Sequence, residues 1–167
     1  MSSKVLSDLI GLLQRIPSEL YPEPLTVLSG SSIGQHVRHI IEFFGCLSSS
    51  QVTGNVDYDK RQRNKTLEND SQKALEEVYY LQKQLEQINF DADLTLTTVF
   101  DEQEICVKTN YRRELIYLAE HSMHHFALIK IGLRASEVSI EMSPDFGIAQ
   151  STIQYNQNVL TDLHTNS

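Results

Sequence analysis

Residues 111–134 read YRRELIYLAEHSMHHFALIKIGLR. Leu115, Leu118, Ala119, Ser122, Phe126, Ile129 and Leu133 recur there at three- and four-residue steps. That spacing predicts a long amphipathic helix with one buried stripe. At 100° per residue, His121 and His125 lie about 40° apart on one face. This is the i, i+4 arrangement in which two imidazoles can share one ion. Both flank the apolar stripe rather than facing water. His124 points about 60° or more away from both, which makes it the weakest ligand of the three. Glu114 falls two turns before His121 on the same flank. It could hydrogen-bond a liganding imidazole or act on a bound water, so it is the catalytic candidate. The plainer reading is a first-turn glutamate favoured by the helix dipole and paired to an arginine.

Outward from this helix, the chain carries three more amphipathic segments. The first runs from Lys4 to Glu19, with Leu6, Leu9, Ile10, Leu13 and Ile16 in register; Pro17, Pro22 and Pro24 end it. The second starts at Ser31 or Ser32, either of which can cap it, and runs to Ser49. Ile33, Val37, Ile40, Phe44 and Leu47 form its stripe, with Arg38 and Glu42 pointing away. Residues 54–70, GNVDYDKRQRNKTLEND, read as a charged loop. A third segment covers Ser71 to Gln87. The period then switches to two: Leu94, Leu96, Thr98 and Phe100 alternate with Thr95, Thr97 and Val99, and Ile105 to Val107 return after a turn at Asp101 to Gln103. That is a β-hairpin signal. Ser151 or Thr152 caps a short final helix, and TDLHTNS, including His164, is expected to fray. The expectation is an all-α four-helix bundle with an inserted β-hairpin, one domain over residues 1–167.

The 167 residues suffice for one sizeable core. A net charge of −8 argues against nucleic acid and anionic lipid as partners. No apolar run reaches the roughly 18 to 20 residues that span a bilayer. The opening MSSKVLSDLIGLLQRI lacks a continuous apolar stretch and a small-residue cleavage site, so the expected compartment is the cytoplasm. Cys46 and Cys106 lie far apart in sequence, and two buried free thiols are expected rather than a disulfide.

His36 and His39 bring imidazoles to the second helix. Three histidines on zinc, nickel or iron leave open coordination positions, as a catalytic site needs. Periodicity leaves the third ligand open. His36 lies about 60° from the centre of the apolar stripe and His39 about 120° away, a slight lean to His36.

The stretches SIGQHVRHI, Ser32 to Ile40, and HSMHH, His121 to His125, resemble two motifs of the DinB-like superfamily of metal-binding helical bundles, which includes YfiT-like metal-dependent hydrolases. The resemblance selects His39, His121 and His125 as metal ligands. The chain departs from it at Gln35, where glutamate is common, at the extra His36, and at Phe126, Ala127 and Leu128, where Arg-Gly-Gln often follows. The resemblance implies a divalent transition metal and a metal-dependent hydrolase or thiol-dependent transferase. The partners expected are a small-molecule substrate, a low-molecular-weight thiol among the options, and an architecture compatible with a homodimer.

Other features carry less. Asp57, Tyr58, Asp59, Arg61 and Arg63 crowd one loop that could close over a metal or simply pair its charges. Tyr155, with Ser151 and Thr152, could dock the tail on the bundle mouth. Phe43 and Cys46 lie near the histidine side of the second helix. Against an enzyme stand two alternatives: a non-catalytic module pinned by a metal, and a metal-free polar network of histidines.

Overall fold

A computed structural model describes residues 2–165, with side chains over 4–158. Six α-helices and three β-strands follow one another among the described residues: α1 (Ser2–Leu13), α2 (Ile33–Thr53), β1 (Asn55–Asp57), α3 (Lys65–Asn69), α4 (Ser71–Leu85), β2 (Asp93–Phe100), β3 (Gln103–Asn110), α5 (Tyr111–Ala135) and α6 (Gln150–Thr165). The expected all-α four-helix bundle is therefore corrected. A three-stranded mixed sheet, ordered β1-β2-β3, is built into the fold, and two further helices join the four long ones.

The apolar stripes do what their spacing requires. Leu6, Leu9 and Leu13 of α1, Val37, Ile40 and Phe44 of α2, Ala74, Val78 and Leu81 of α4, and Leu118, Phe126 and Ile129 of α5 all bury into one core. Ser32 caps α2 by accepting the Gln35 N–H at 3.1 Å. Asp70 caps α4 and Asn110 caps α5 in the same way, through N–H groups of the first turn. The first helix stops at Leu13, short of the Glu19 expected; Pro17 instead organises two tight turns, accepting from Leu20 and Tyr21.

The stretch 54–70 departs most from its reading as a loop. Gly54 ends α2 at φ 67, a left-handed conformation suited to glycine. Its carbonyl accepts Thr95 N–H at 2.9 Å, which launches β1 alongside β2. The two run parallel, Asn55 opposite Thr95 and Asp57 opposite Thr97, so the crossover between them must carry α3 and α4. A three-residue strand has too little alternation to show in sequence. α3 then lies on α2. A Cβ at Gly34 would overlap the Glu68 carbonyl, so this close approach depends on glycine.

β2 and β3 pair antiparallel from Asp93–Asn110 to Phe100–Gln103. Asp101 and Glu102 both have positive φ, 48 and 65, as a two-residue hairpin turn with the native twist requires. The last helix begins at Gln150 and continues to Thr165, longer than the short helix and frayed end expected. Tyr155 is exposed, and Ile153 rather than Tyr155 is buried. The side chain of His164 and residues 166 and 167 lie outside the described ones. Among the described residues, no helix is long and apolar enough to cross a membrane.

Candidate metal centre

α2 and α5 pack side by side, and their histidines meet at the seam. His39, His121 and His125 each bring one ring nitrogen into a group whose atoms all lie within 4.8 Å of one another. His39 Nε2 is 2.8 Å from His121 Nε2. His125 Nε2 is 3.2 Å from that same His121 atom. Each ring is half-buried. The i, i+4 pair on α5 thus shares one face, as its spacing predicts, and α2 supplies the third ring. His124 is exposed and only meets His125 edge-on.

His36 belongs to the site in another way. Its Nδ1 lies 3.0 Å from His125 Nδ1, on the side of that ring away from the cluster. A proton on His125 Nδ1 can be donated there, which leaves His125 Nε2 as a bare lone pair facing His121. His36 Nε2 is buried and has no hydrogen-bond partner.

Two further groups shape the cluster. Phe43 stacks on His121 with ring centroids 4.7 Å apart and tilts over His39 at 4.4 Å. Arg61, from the stretch that crosses over α2, places a guanidinium nitrogen 3.3 Å from His39 Nδ1 and its Cζ over the Phe43 ring. Burial, reinforced by Arg61 and the neighbouring imidazoles, pushes the His39 basicity down to about 4. Burial, with His39 and His121 next to it, pushes His125 down to about 3. His121 and His36 are lowered as well, burial again being the larger cause. The rings are therefore held neutral, with lone pairs available.

Arg38 and Glu42 do not face water as the helical wheel suggested. Glu42 is buried, with Arg38 Nε 3.5 Å from one carboxylate oxygen and Arg61 Nε 3.4 Å from the other. It also accepts the Asn64 N–H at 2.7 Å. Arg38 pairs further with Glu68 of α3. The stretch over residues 57–68 thus lays a second, ionic layer on the polar face of α2. The wheel cannot show this, because it assumes that only the apolar face is covered.

Glu114 is fully buried, but its oxygens are engaged elsewhere. Oε2 accepts from the Tyr58 hydroxyl at 2.9 Å, and Oε1 accepts from Thr109 at 2.6 Å and Arg113 at 3.1 Å. No hydrogen bond joins it to a histidine among the described residues. Its link is indirect: Tyr58 stacks on Phe43, which stacks on His121. Asp57 and Asp59 are likewise committed, Asp57 to the N–H groups of residues 59 and 60, and Asp59 to Thr98 and Val99 of β2. Arg63 is exposed.

Among the described residues, neither cysteine meets a histidine. Cys46 lines a separate cavity of about 600 Å³ with Glu42, Asp57, Lys60 and Arg61, and burial raises its thiol. Cys106 is exposed on β3, contrary to the expected burial.

Chemically, the cluster is a set of bases with one outside donor, Arg61 on His39. An imidazole nitrogen offers one in-plane site, either a proton or a lone pair. His121 Nε2 faces two other Nε2 atoms at once, so one neutral tautomer satisfies at most one of the contacts.

No family model matches the chain, and no solved structure matches it. Among curated proteins, FK506-binding protein 5 of Rhizopus delemar is 33% identical over 115 residues, covering 65% of this chain and 29% of that protein. The chain thus corresponds to less than a third of the relative's length. These comparisons lend nothing to the DinB-like resemblance drawn from SIGQHVRHI and HSMHH, and with the sheet in the fold that label is set aside along with the four-helix bundle.

Proposed function

We propose that His39, His121 and His125 bind one divalent transition metal through their Nε2 atoms, and that the protein is a metal-dependent enzyme acting on a small molecule. The observation that carries this is the double contact at His121 Nε2, at 2.8 and 3.2 Å. A metal bound at the usual 2.0–2.1 Å by tetrahedral imidazoles spaces their nitrogens by about 3.3 Å. Two of the three spacings are close to that and the third lies within 4.8 Å, and one cation can be shared by all three rings once His39 gives up its Nε2 proton.

The surroundings support the reading. His36 backs His125 on its far nitrogen, as an outer partner of a ligating histidine does. The lowered basicity of His39 and His125 keeps protons from competing at neutral pH. Half-burial leaves the mouth of the cluster open to solute. Three imidazoles suit zinc, nickel or iron. When bound, such a metal supplies Lewis acidity at its open positions. Hydrolysis and transfer of a low-molecular-weight thiol both use that property. Glu114 serves as a positioning residue, holding Tyr58 against Phe43.

Arg61 sets a condition on loading. A guanidinium only donates, so His39 Nδ1 accepts and its proton sits on Nε2 while the metal is out. Ligation by His39 Nε2 moves that proton and loosens Arg61.

The test is metal titration by calorimetry with elemental analysis, using zinc and nickel separately. The expected result is one equivalent bound, lost in His121→Ala, with the metal-free melting curve of that variant unchanged. No uptake of either ion by the intact protein would overturn the proposal. A fold that melts only when a chelator is added would instead make the metal structural.

A further inference from the structure

β3 is an edge strand: β2 covers one side, and nothing among the described residues pairs with the other. Which of its groups are free follows from β2. Thr95 N–H donates to Gly54 and Val99 N–H donates to Asp59, both on the side of β2 away from β3. Their partners across the ladder are Lys108 and Glu104, with Thr97 and Cys106 between them. In an antiparallel ladder, residues directly opposite share the same alternation. Glu104, Cys106 and Lys108 therefore turn their N–H and C=O groups outward, at the open edge.

The sequence of that edge is self-complementary. Read about Cys106, the run Glu104-Ile105-Cys106-Val107-Lys108 places opposite charges at equal distances on either side, with two β-branched residues between. We propose that a second copy of this chain pairs antiparallel along β3, centred on Cys106, joining two three-stranded sheets into one of six. Glu104 of each copy then faces Lys108 of the other on one sheet face. Ile105 of each faces Val107 of the other on the opposite face. All three outward residues exchange both backbone hydrogen bonds, which is the register an isologous two-fold contact demands. Shifting the centre by one residue destroys the charge match.

The monomer leaves these groups available. Val107 is 45% exposed, and Phe100 and Val99 beside the hairpin turn are 65% and 57% exposed. Glu104 pairs with Lys60 at 3.0 Å, but both side chains are solvent-exposed, so the pair holds Glu104 weakly. Bare, β-branched edges of this length otherwise invite uncontrolled pairing.

The test is sedimentation equilibrium of the full chain, with charge reversals. Glu104→Lys alone or Lys108→Glu alone sets like charges opposite each other at two symmetric places and weakens the dimer about tenfold. The double variant restores opposite charges and recovers the dimer. A short bis-maleimide joins two native copies through Cys106; Cys106→Ser abolishes the crosslink, and Cys46→Ser does not. A monomer at every concentration, a dimer indifferent to the single reversals, or a crosslink that persists in Cys106→Ser overturns the proposal. None of these readouts depends on whether the histidines bind metal.

Discussion

Two polar clusters lie on neighbouring faces of α2, and they are opposites. On one, Arg38, Arg61, Glu42 and Glu68 pair their charges with one another, and a backbone N–H donates to one oxygen of Glu42. On the other, three imidazoles bring ring nitrogens to one place. The first cluster contains both signs, although Arg38 Nε, Arg61 Nε and Glu42 Oε2 are buried in it as ion pairs without a hydrogen bond. The second gathers three imidazoles with Arg61 as their one cation, and His121 Nε2 within it faces two other ring nitrogens. A polar group without its complement costs free energy, and under the proposed function a bound cation is what completes the imidazole cluster. The ionic cluster is read as structure and the imidazole cluster as a site.

The contrast can be broken most sharply by removing Glu42. Glu42→Ala leaves two guanidinium groups buried without their shared partner and should cost about 3 kcal/mol or more of folding stability, read by urea denaturation. His39→Ala, a similar truncation a few residues earlier, should leave the denaturation midpoint of the metal-free protein close to that of wild type and abolish metal uptake. Equal losses of stability in the two variants would mean that both clusters are structural.

Acid separates the clusters next. His39 and His125 are depressed in the fold to about 4 and about 3, below an ordinary value of 6.5. Below pH 6.5 the unfolded chain takes up protons that these folded rings refuse, so stability falls with falling pH. The stability of the metal-free protein should hold above pH 6.5, then decline through the window down to about pH 4 for His39 and about pH 3 for His125. Bound metal should shift the decline to lower pH. A flat melting temperature between pH 7 and pH 5 would remove the basis for buried neutral rings.

The smallest expected effect is at Arg61, which belongs to both clusters. Arg61→Gln replaces an obligate donor beside His39 Nδ1 with a group that can accept. It should tighten metal binding severalfold while lowering stability modestly, because Glu42 keeps Arg38. Unchanged affinity in calorimetry would show that the guanidinium places no burden on His39.

Much of this was legible in the chain. The four long helices follow from apolar residues at helical spacing, and the hairpin follows from the switch to alternation at Leu94. The meeting of His121 and His125 on one face follows from the helical repeat alone. Periodicity leaned to His36 as the third ring because it measured distance from the apolar stripe. The structure instead sets His39 in the cluster and His36 behind His125. The stripe is centred on the core, whereas the site lies at its margin, where α2 meets α5.

Local features come from the chain's own repeats: which residues turn together on a helix, where caps and turns punctuate, and that two histidines share a face. These depend on backbone repeats that span a few residues. What covers each face is set by packing between distant segments. β1 is too short to carry a pattern and exists because Gly54 delivers it to β2. Glu42 and Arg38 are polar by sequence, yet Glu42 is buried and Arg38 half-buried, since the stretch from Asp57 to Glu68 folds back over them. Glu114 sits on the flank its spacing predicts, but its oxygens go to Tyr58 and Thr109, which arrive from elsewhere in the chain. The partner of a polar atom is set by long-range packing, and no local repeat encodes it.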